Sequence, residues 1–287
     1  MSGAVCPPCA RWAVVCRDEQ VWLHGRRLAR HDLAIPTSLK EQNLNAAAVV
    51  PAAGRGERLG PGAPKALREL GGVPLLVHAV RALTRSRAVT LVVVVAPADG
   101  VARVRELLDS HGAGGDEGPR VLVVPGGGTR QESVRLGLAA LPPEVDVVLV
   151  HDAARPLVPV DVVDAVARAV ADGAPAVVPA VPLADTVKQV GPASAPGQPE
   201  PVLGTPDRST LRAVQTPQGF RRDLLQSVHD KALSEAVDAT DDAGLVERYG
   251  GQVVLVPGHE EAFKVTRPLD LVLAEAVLAR RRANDEF

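Results

Sequence analysis

An apolar stretch, Ala47-Ala48-Val49-Val50-Pro51, runs straight into a loop of small and basic residues, AAGRGERLGPGAPK, that ends at Lys65. Small side chains leave the backbone N–H groups of Ala52, Ala53, Gly54 and Gly56 open. At the carboxyl end of a strand such a nest receives phosphate anions. Arg55, Arg58 and Lys65 add fixed positive charge, so the loop suits a polyphosphate. It is not a Walker loop, because Lys65 follows Pro64, and it is a poor dinucleotide fingerprint, because Gly54 and Gly56 lack a third glycine. A tight turn flanked by solvated arginines would explain the same residues without any ligand.

Four further segments carry groups that could do chemistry. VHDAARP at 150–156 puts Asp152 after an apolar run, at the rim where open α/β sheets take ligands. A carboxylate there suits Mg²⁺, which prefers one or two carboxylates plus phosphate oxygens, although a helix cap is an alternative use for it. His151, on the strand end, reads as a packed and hydrogen-bonded histidine rather than a base. In PGGGTRQESV at 125–134 the glycines let backbone approach a flat base or ribose, and Ser133 on the next helical turn can hydrogen-bond its edge. A glycine-rich strand-to-helix turn is the alternative, and the residues alone do not choose between cytosine and uracil. Thr240-Asp241-Asp242 reads as an N-cap followed by an acidic first turn, and Lys264 as a lysine on a strand.

Taken in order, AAGRGERLGPGAPK, PGGGTRQESV, VHDAARP, TPQGF at 216–220, ATDDAGLVE at 239–247 and FKVTRPLDL at 263–271 resemble the 2-C-methyl-D-erythritol 4-phosphate cytidylyltransferase family, within the nucleotide-sugar pyrophosphorylase-like nucleotidyltransferases. The resemblance runs from about Ala47 to Arg282. It implies transfer of CMP from CTP to 2-C-methyl-D-erythritol 4-phosphate, with release of pyrophosphate. It implies Arg58, Lys65 and Lys264 as catalytic cations, Gly127 and Ser133 in the cytosine pocket, and Mg²⁺ on Asp152. Arg155, Thr186, Arg208, Thr240 and Lys264 match positions at the acceptor, Thr186 and Arg208 through an arm exchanged between the subunits of a homodimer. Ribitol-5-phosphate cytidylyltransferase shares most of these motifs, but Ala154 and Arg267-Pro268 look more like the methylerythritol enzyme. A nicotinamide-dependent oxidoreductase, the rival from another class, is opposed by the missing third glycine and by the absence of an acidic residue ending a second strand about 20 residues on.

The elements that must position these groups follow from periodicity. Strands are expected at Ala47–Pro51, Thr90–Val95, Val121–Pro125, Val145–His151, Ala176–Val181 and Gln252–Val256, with helices between them. Continuous apolar runs such as Leu91 to Val95 suit strands covered on both faces, so the expected class is a three-layer α/β sandwich with a mostly parallel, Rossmann-like sheet. Gly and Pro punctuate the interval of about 185–212, which reads as a protruding loop or hairpin. A last helix should open at Pro268 and end in Arg280-Arg281-Arg282. Residues 1–45 carry no sustained period. Cys6, Cys9, Cys16 and His24 fit no common zinc spacing, so these residues read as a flexible leader of unknown role before a domain at 46–287.

Composition removes other classes. Lys and Arg number 32 against 34 Asp and Glu, which lacks the basic excess that non-specific nucleic-acid binding needs. No apolar run approaches the roughly 20 residues of a membrane helix, and the expected location is the cytoplasm. All three cysteines fall in the leader, so catalysis in the domain has no thiol to use.

Overall fold

The computed structural model describes residues 15–17, 20–23, 26–27, 45–54, 64–114, 118–193, 195 and 197–284. Gly56 and Arg58, with the loop around them, lie outside these residues. The chain divides into two units, Met1–Gln42 and Asn43–Phe287. In the first, β1 (Val15–Arg17), β2 (Gln20–Leu23) and β3 (Arg26–Arg27) pair as an antiparallel meander that the sequence reading gave no element.

The second unit is built on one sheet. Its parallel strands are β4 (Ala46–Pro51), β7 (Val89–Ala96), β8 (Arg120–Pro125), β9 (Val147–Val150), β10 (Ala176–Pro182) and β15 (Val254–Pro257). A short hairpin, β5 (Glu69–Leu70) with β6 (Val73–Pro74), precedes the first helix. Along the sheet the parallel strands run β8-β7-β4-β9, then β10 and β15. Between β9 and β10 lies an antiparallel strand, β14 (Gln218–Arg221); β13 (Arg212–Val214) pairs antiparallel with β10 on the same edge. The order reverses direction between β4 and β9. This is the doubly wound pattern whose switch point opens a crevice at the strand carboxyl ends.

The valine-rich strands are buried on both faces because alternate residues feed two cores. Ala48, Val50, Val92 and Val94 pack with α1 (Leu75–Thr84), α2 (Val101–Ser110) and α4 (Val160–Ala171). Ala47, Val49, Val93 and Val95 pack with α3 (Arg130–Ala139), α5 (Arg222–Ser234) and α6 (Asp242–Arg248). Helices therefore cover both sides of a mostly parallel sheet, which gives three layers. The last helix, α7 (Pro268–Ala283), has its proline at the first helical position and packs Ala274 and Leu278 against Leu70, Leu75 and Val265. Between β10 and β13 the chain leaves the sheet as a ribbon, β11 (Gln189–Val190) with β12 (Val202–Gly204), which pair with each other. No helix among the described residues is long and apolar enough to cross a membrane.

Candidate active site

Three backbone hydrogen bonds assemble the crevice. Ala52 N donates to Val95 O (2.8 Å), which ties the end of β4 to β7 and takes up an N–H that the sequence predicts to be open; His151 N donates to Val49 O (2.9 Å), which fixes the end of β9 beside β4. Val265 N donates to Ala154 O (2.8 Å), which brings Lys264 beside Asp152 although 112 positions separate them. The result is a cavity of about 240 Å³ whose wall includes Ala52, Ala53, Gly54, Lys65, Gly127, Ser133, Asp152 and Lys264. Eight positions singled out in the sequence thus meet in one place.

Lys264 Nζ donates to Asp152 Oδ2 at 2.6 Å, and Arg130 Nε lies 3.5 Å from Asp152 Oδ1. Burial alone would raise the Asp152 carboxyl, but the charges of Arg130 and Lys264 outweigh it and hold the group well below the usual carboxylate range. Asp152 is therefore an anion at any working pH. It caps no helix: α4 starts later, at Val160, behind Pro159. Among the described residues no three His, Cys, Asp or Glu side chains cluster as a metal cage. A single ionised carboxylate is the donor set expected of a Mg²⁺ site that takes its other ligands from phosphate and water.

The glycine-rich turn after β8 is ordered from within. Thr129 caps α3 by accepting from Glu132 N (3.0 Å), and Glu132 Oε2 accepts from Gly128 N (2.7 Å). A Cβ on Gly127 would collide with the Glu132 carboxyl, so a larger residue here would displace the Glu132 side chain from Gly128 N. Ser133 is buried; its Oγ accepts from Gly127 N (3.2 Å) and donates to Thr129 O (2.9 Å). That hydroxyl sets the turn whose backbone faces the cavity.

His151 is fully buried, with Nε2 donating to Arg155 O (3.2 Å) and Nδ1 taking the Thr216 hydroxyl at 3.1 Å. Burial pushes its pKa down to about 4, so the neutral ring is a structural pin. Thr216 Oγ1 in turn accepts from Asp152 N (3.0 Å), which aims the carboxylate.

Other expected positions lie away from the cavity wall. Arg155 donates through Nη1 to Ala262 O (2.6 Å) and through Nη2 to Val214 O (3.1 Å), tying the loop after β9 to two other segments. Thr186 is exposed on the ribbon, and Arg208 Nη1 donates to Ala184 O (2.5 Å) at the ribbon's base. The N-cap of α6 falls one residue later than the sequence reading placed it. Asp241, not Thr240, accepts from Gly244 N (2.9 Å), because only its side chain reaches back over the first turn. One charged residue of the cavity wall went unmarked in the sequence: Arg130, beside Asp152. It opens α3, where the helix dipole disfavours a cation, and that misfit was the available signal.

A doubly wound sheet whose switch-point cavity is lined by Gly54, Gly127 and the cations Lys65, Arg130 and Lys264 has the architecture of a nucleotide-binding α/β enzyme. Residues 46–280 match the profile of the family described as 2-C-methyl-D-erythritol 4-phosphate cytidylyltransferase, and the chain belongs to that family. Enzymes of this description from Streptomyces coelicolor and Streptomyces avermitilis are 71% and 70% identical over 241 residues; the match covers 84% of this chain in both cases and 87% and 94% of theirs. The solved structure of the 2-C-methyl-D-erythritol 4-phosphate cytidylyltransferase from Thermus thermophilus is similar, with a TM-score of 0.61 at 36% identity. It covers 81% of this chain and 98% of its own. The protein is a cytidylyltransferase of isoprenoid precursor synthesis, and the oxidoreductase alternative falls away.

Proposed function

We propose that the switch-point cavity is where CMP passes from CTP to 2-C-methyl-D-erythritol 4-phosphate, giving 4-diphosphocytidyl-2-C-methyl-D-erythritol and pyrophosphate. The convergence of Lys65, Arg130 and Lys264 on one cavity beside the ionised Asp152 supports this reading. The acceptor phosphate is largely dianionic at neutral pH, since its second pKa lies near 6, and needs no general base. One of its oxygens bonds to the α-phosphorus of CTP as the bond from that phosphorus to the bridging oxygen breaks, and the electron pair leaves with pyrophosphate. The obstacle is the approach of two anions, and fixed positive charge lowers it most where charge builds in the in-line transition state.

Lys65 and Arg58 serve the triphosphate, and Lys264 serves the acceptor and the α-phosphate. Backbone at Ala52, Ala53, Gly54, Gly56 and Gly127 holds the nucleotide, with Ser133 fixing the turn. Asp152 would hold Mg²⁺, which neutralises phosphate charge when bound. Arg155 and Thr240 are assigned to the acceptor through their match to the family's positions. Arg208 and Thr186 reach a partner subunit's acceptor through the ribbon, whose Val202 and Leu203 are more than half exposed, as an arm made to pack against a second copy would be. CTP and the acceptor are charged metabolites, which suits a cytoplasmic enzyme.

The test offers CTP or UTP with 2-C-methyl-D-erythritol 4-phosphate or ribitol 5-phosphate, and follows pyrophosphate release. We expect turnover with CTP and the methylerythritol acceptor alone to dominate; faster use of ribitol 5-phosphate would overturn the acceptor assignment.

A further inference from the structure

The charges at Asp152 continue into the protein and end outside the cavity. Asp241 is spent as a cap, accepting from Gly244 N and, through Oδ2, from Gln218 Nε2 at 2.7 Å. Asp242, the first residue of α6, turns inward and is 1% exposed. Its Oδ1 accepts from His229 Nε2 at 2.9 Å, and its Oδ2 lies 2.8 Å from Arg130 Nη1. His229, on α5, is equally buried, and its Nδ1 has no hydrogen-bond partner among the described residues.

Two features set this chain of groups apart from ordinary packing. A buried histidine with one nitrogen unsatisfied is costly, so its polarity serves the one bond that it makes, to Asp242. Arg130 stands at the positive end of α3 and needs carboxylate support, which two groups offer: Asp242 at 2.8 Å and Asp152 at 3.5 Å. Without the nearer one, the guanidinium would close on Asp152 and compete with Lys264 and any cation for it.

We propose that Asp242 and His229 are positioning residues that hold the Arg130 guanidinium at the wall of the nucleotide cavity and off Asp152. The inference rests on the assignment of that cavity to CTP. His229 never touches substrate; it acts by fixing the Asp242 carboxylate, and Asp242 acts by fixing Arg130.

The test uses the full chain and reads both kcat/KM and the Kd for CTP, measured by calorimetry so that slow variants still report. His229→Leu and Asp242→Asn should weaken one or both about tenfold or more, the scale of loss when a reacting group is misplaced. His229→Gln, which can keep an N–H near the Nε2 position, should recover most of the loss. In the Arg130→Ala background, His229→Leu should cost nothing further in CTP binding. Full multiplication of the two effects, or a His229→Leu enzyme with unaltered CTP binding and turnover, overturns the proposal. If His229→Leu does not give a folded protein by circular dichroism, the same cycle run with Asp242→Asn decides it by the same criterion. Failure of the cavity assignment would look different, because Lys65→Ala and Lys264→Ala, in the same cavity wall, would then also leave turnover unaltered.

Discussion

At the scale of single residues, charge placement separates catalysis from binding. Lys65 lies in the cavity wall, and Arg58 belongs to the same loop. Replacing either with Ala should lower kcat by about a hundredfold or more while changing CTP binding far less, because charge beside the reacting phosphoryl group acts chiefly in the transition state. A change confined to the Michaelis constant for CTP would remove that role. Asp152→Asn should leave the fold intact and raise the Mg²⁺ concentration needed for half-maximal rate, since an amide is a poorer ligand for a hard cation; an unchanged metal titration would take Asp152 out of the metal site. Most of this constellation could be read from residue types, because a glycine nest with flanking cations has a distinctive chemistry. Arg130 was the exception. Its position depends on Asp242, 112 residues away, and no local pattern announces a partner at that distance.

Among the elements, legibility followed burial. All six parallel strands were visible in the sequence as apolar runs, five of them feeding buried residues to the cores and β15 being half exposed, and Pro268 and the arginine triplet marked the ends of α7. β13 and β14 were not visible. They are short, Gln215-Thr216-Pro217 interrupts them, and they hold their place only by pairing with strands far away in sequence. Helix α1 carries a pH response. Its His78 places Nε2 2.9 Å from Leu70 O and is almost fully buried, and burial lowers its pKa, with help from the charges of Arg81 and Arg282, against the opposing pull of the Leu70 carbonyl and Glu275. A histidine with a depressed folded pKa binds fewer protons folded than unfolded below about pH 6.5, so its contribution is present above that pH and lost as pH falls. Urea unfolding at about pH 8 and pH 5 should show the chain weaker in acid, and His78→Gln should shrink the difference. An identical difference in the variant would clear His78 of the effect.

For the molecule as a whole, the ribbon decides whether one chain suffices. If Arg208 completes the site of a second subunit, mixing the inactive variants Lys65→Ala and Arg208→Ala should restore activity, approaching about a quarter of wild type when exchange is random and sites act independently. Mixed dimers that form and stay silent would confine Arg208 to its own subunit. The same ribbon has a further consequence for how the protein can be changed. Its two roots, Pro182 and Arg212, are paired across β10 and β13, so the sheet sees only the clamp and not the length of chain beyond it. Closing a longer loop costs only a few tenths of a kcal/mol for each modest extension. The tip near Gly197, which has a φ of +80° and is exposed, is thus a natural graft point for a reporter domain. Such a fusion should melt within a few degrees of the parent, because the graft leaves the core untouched.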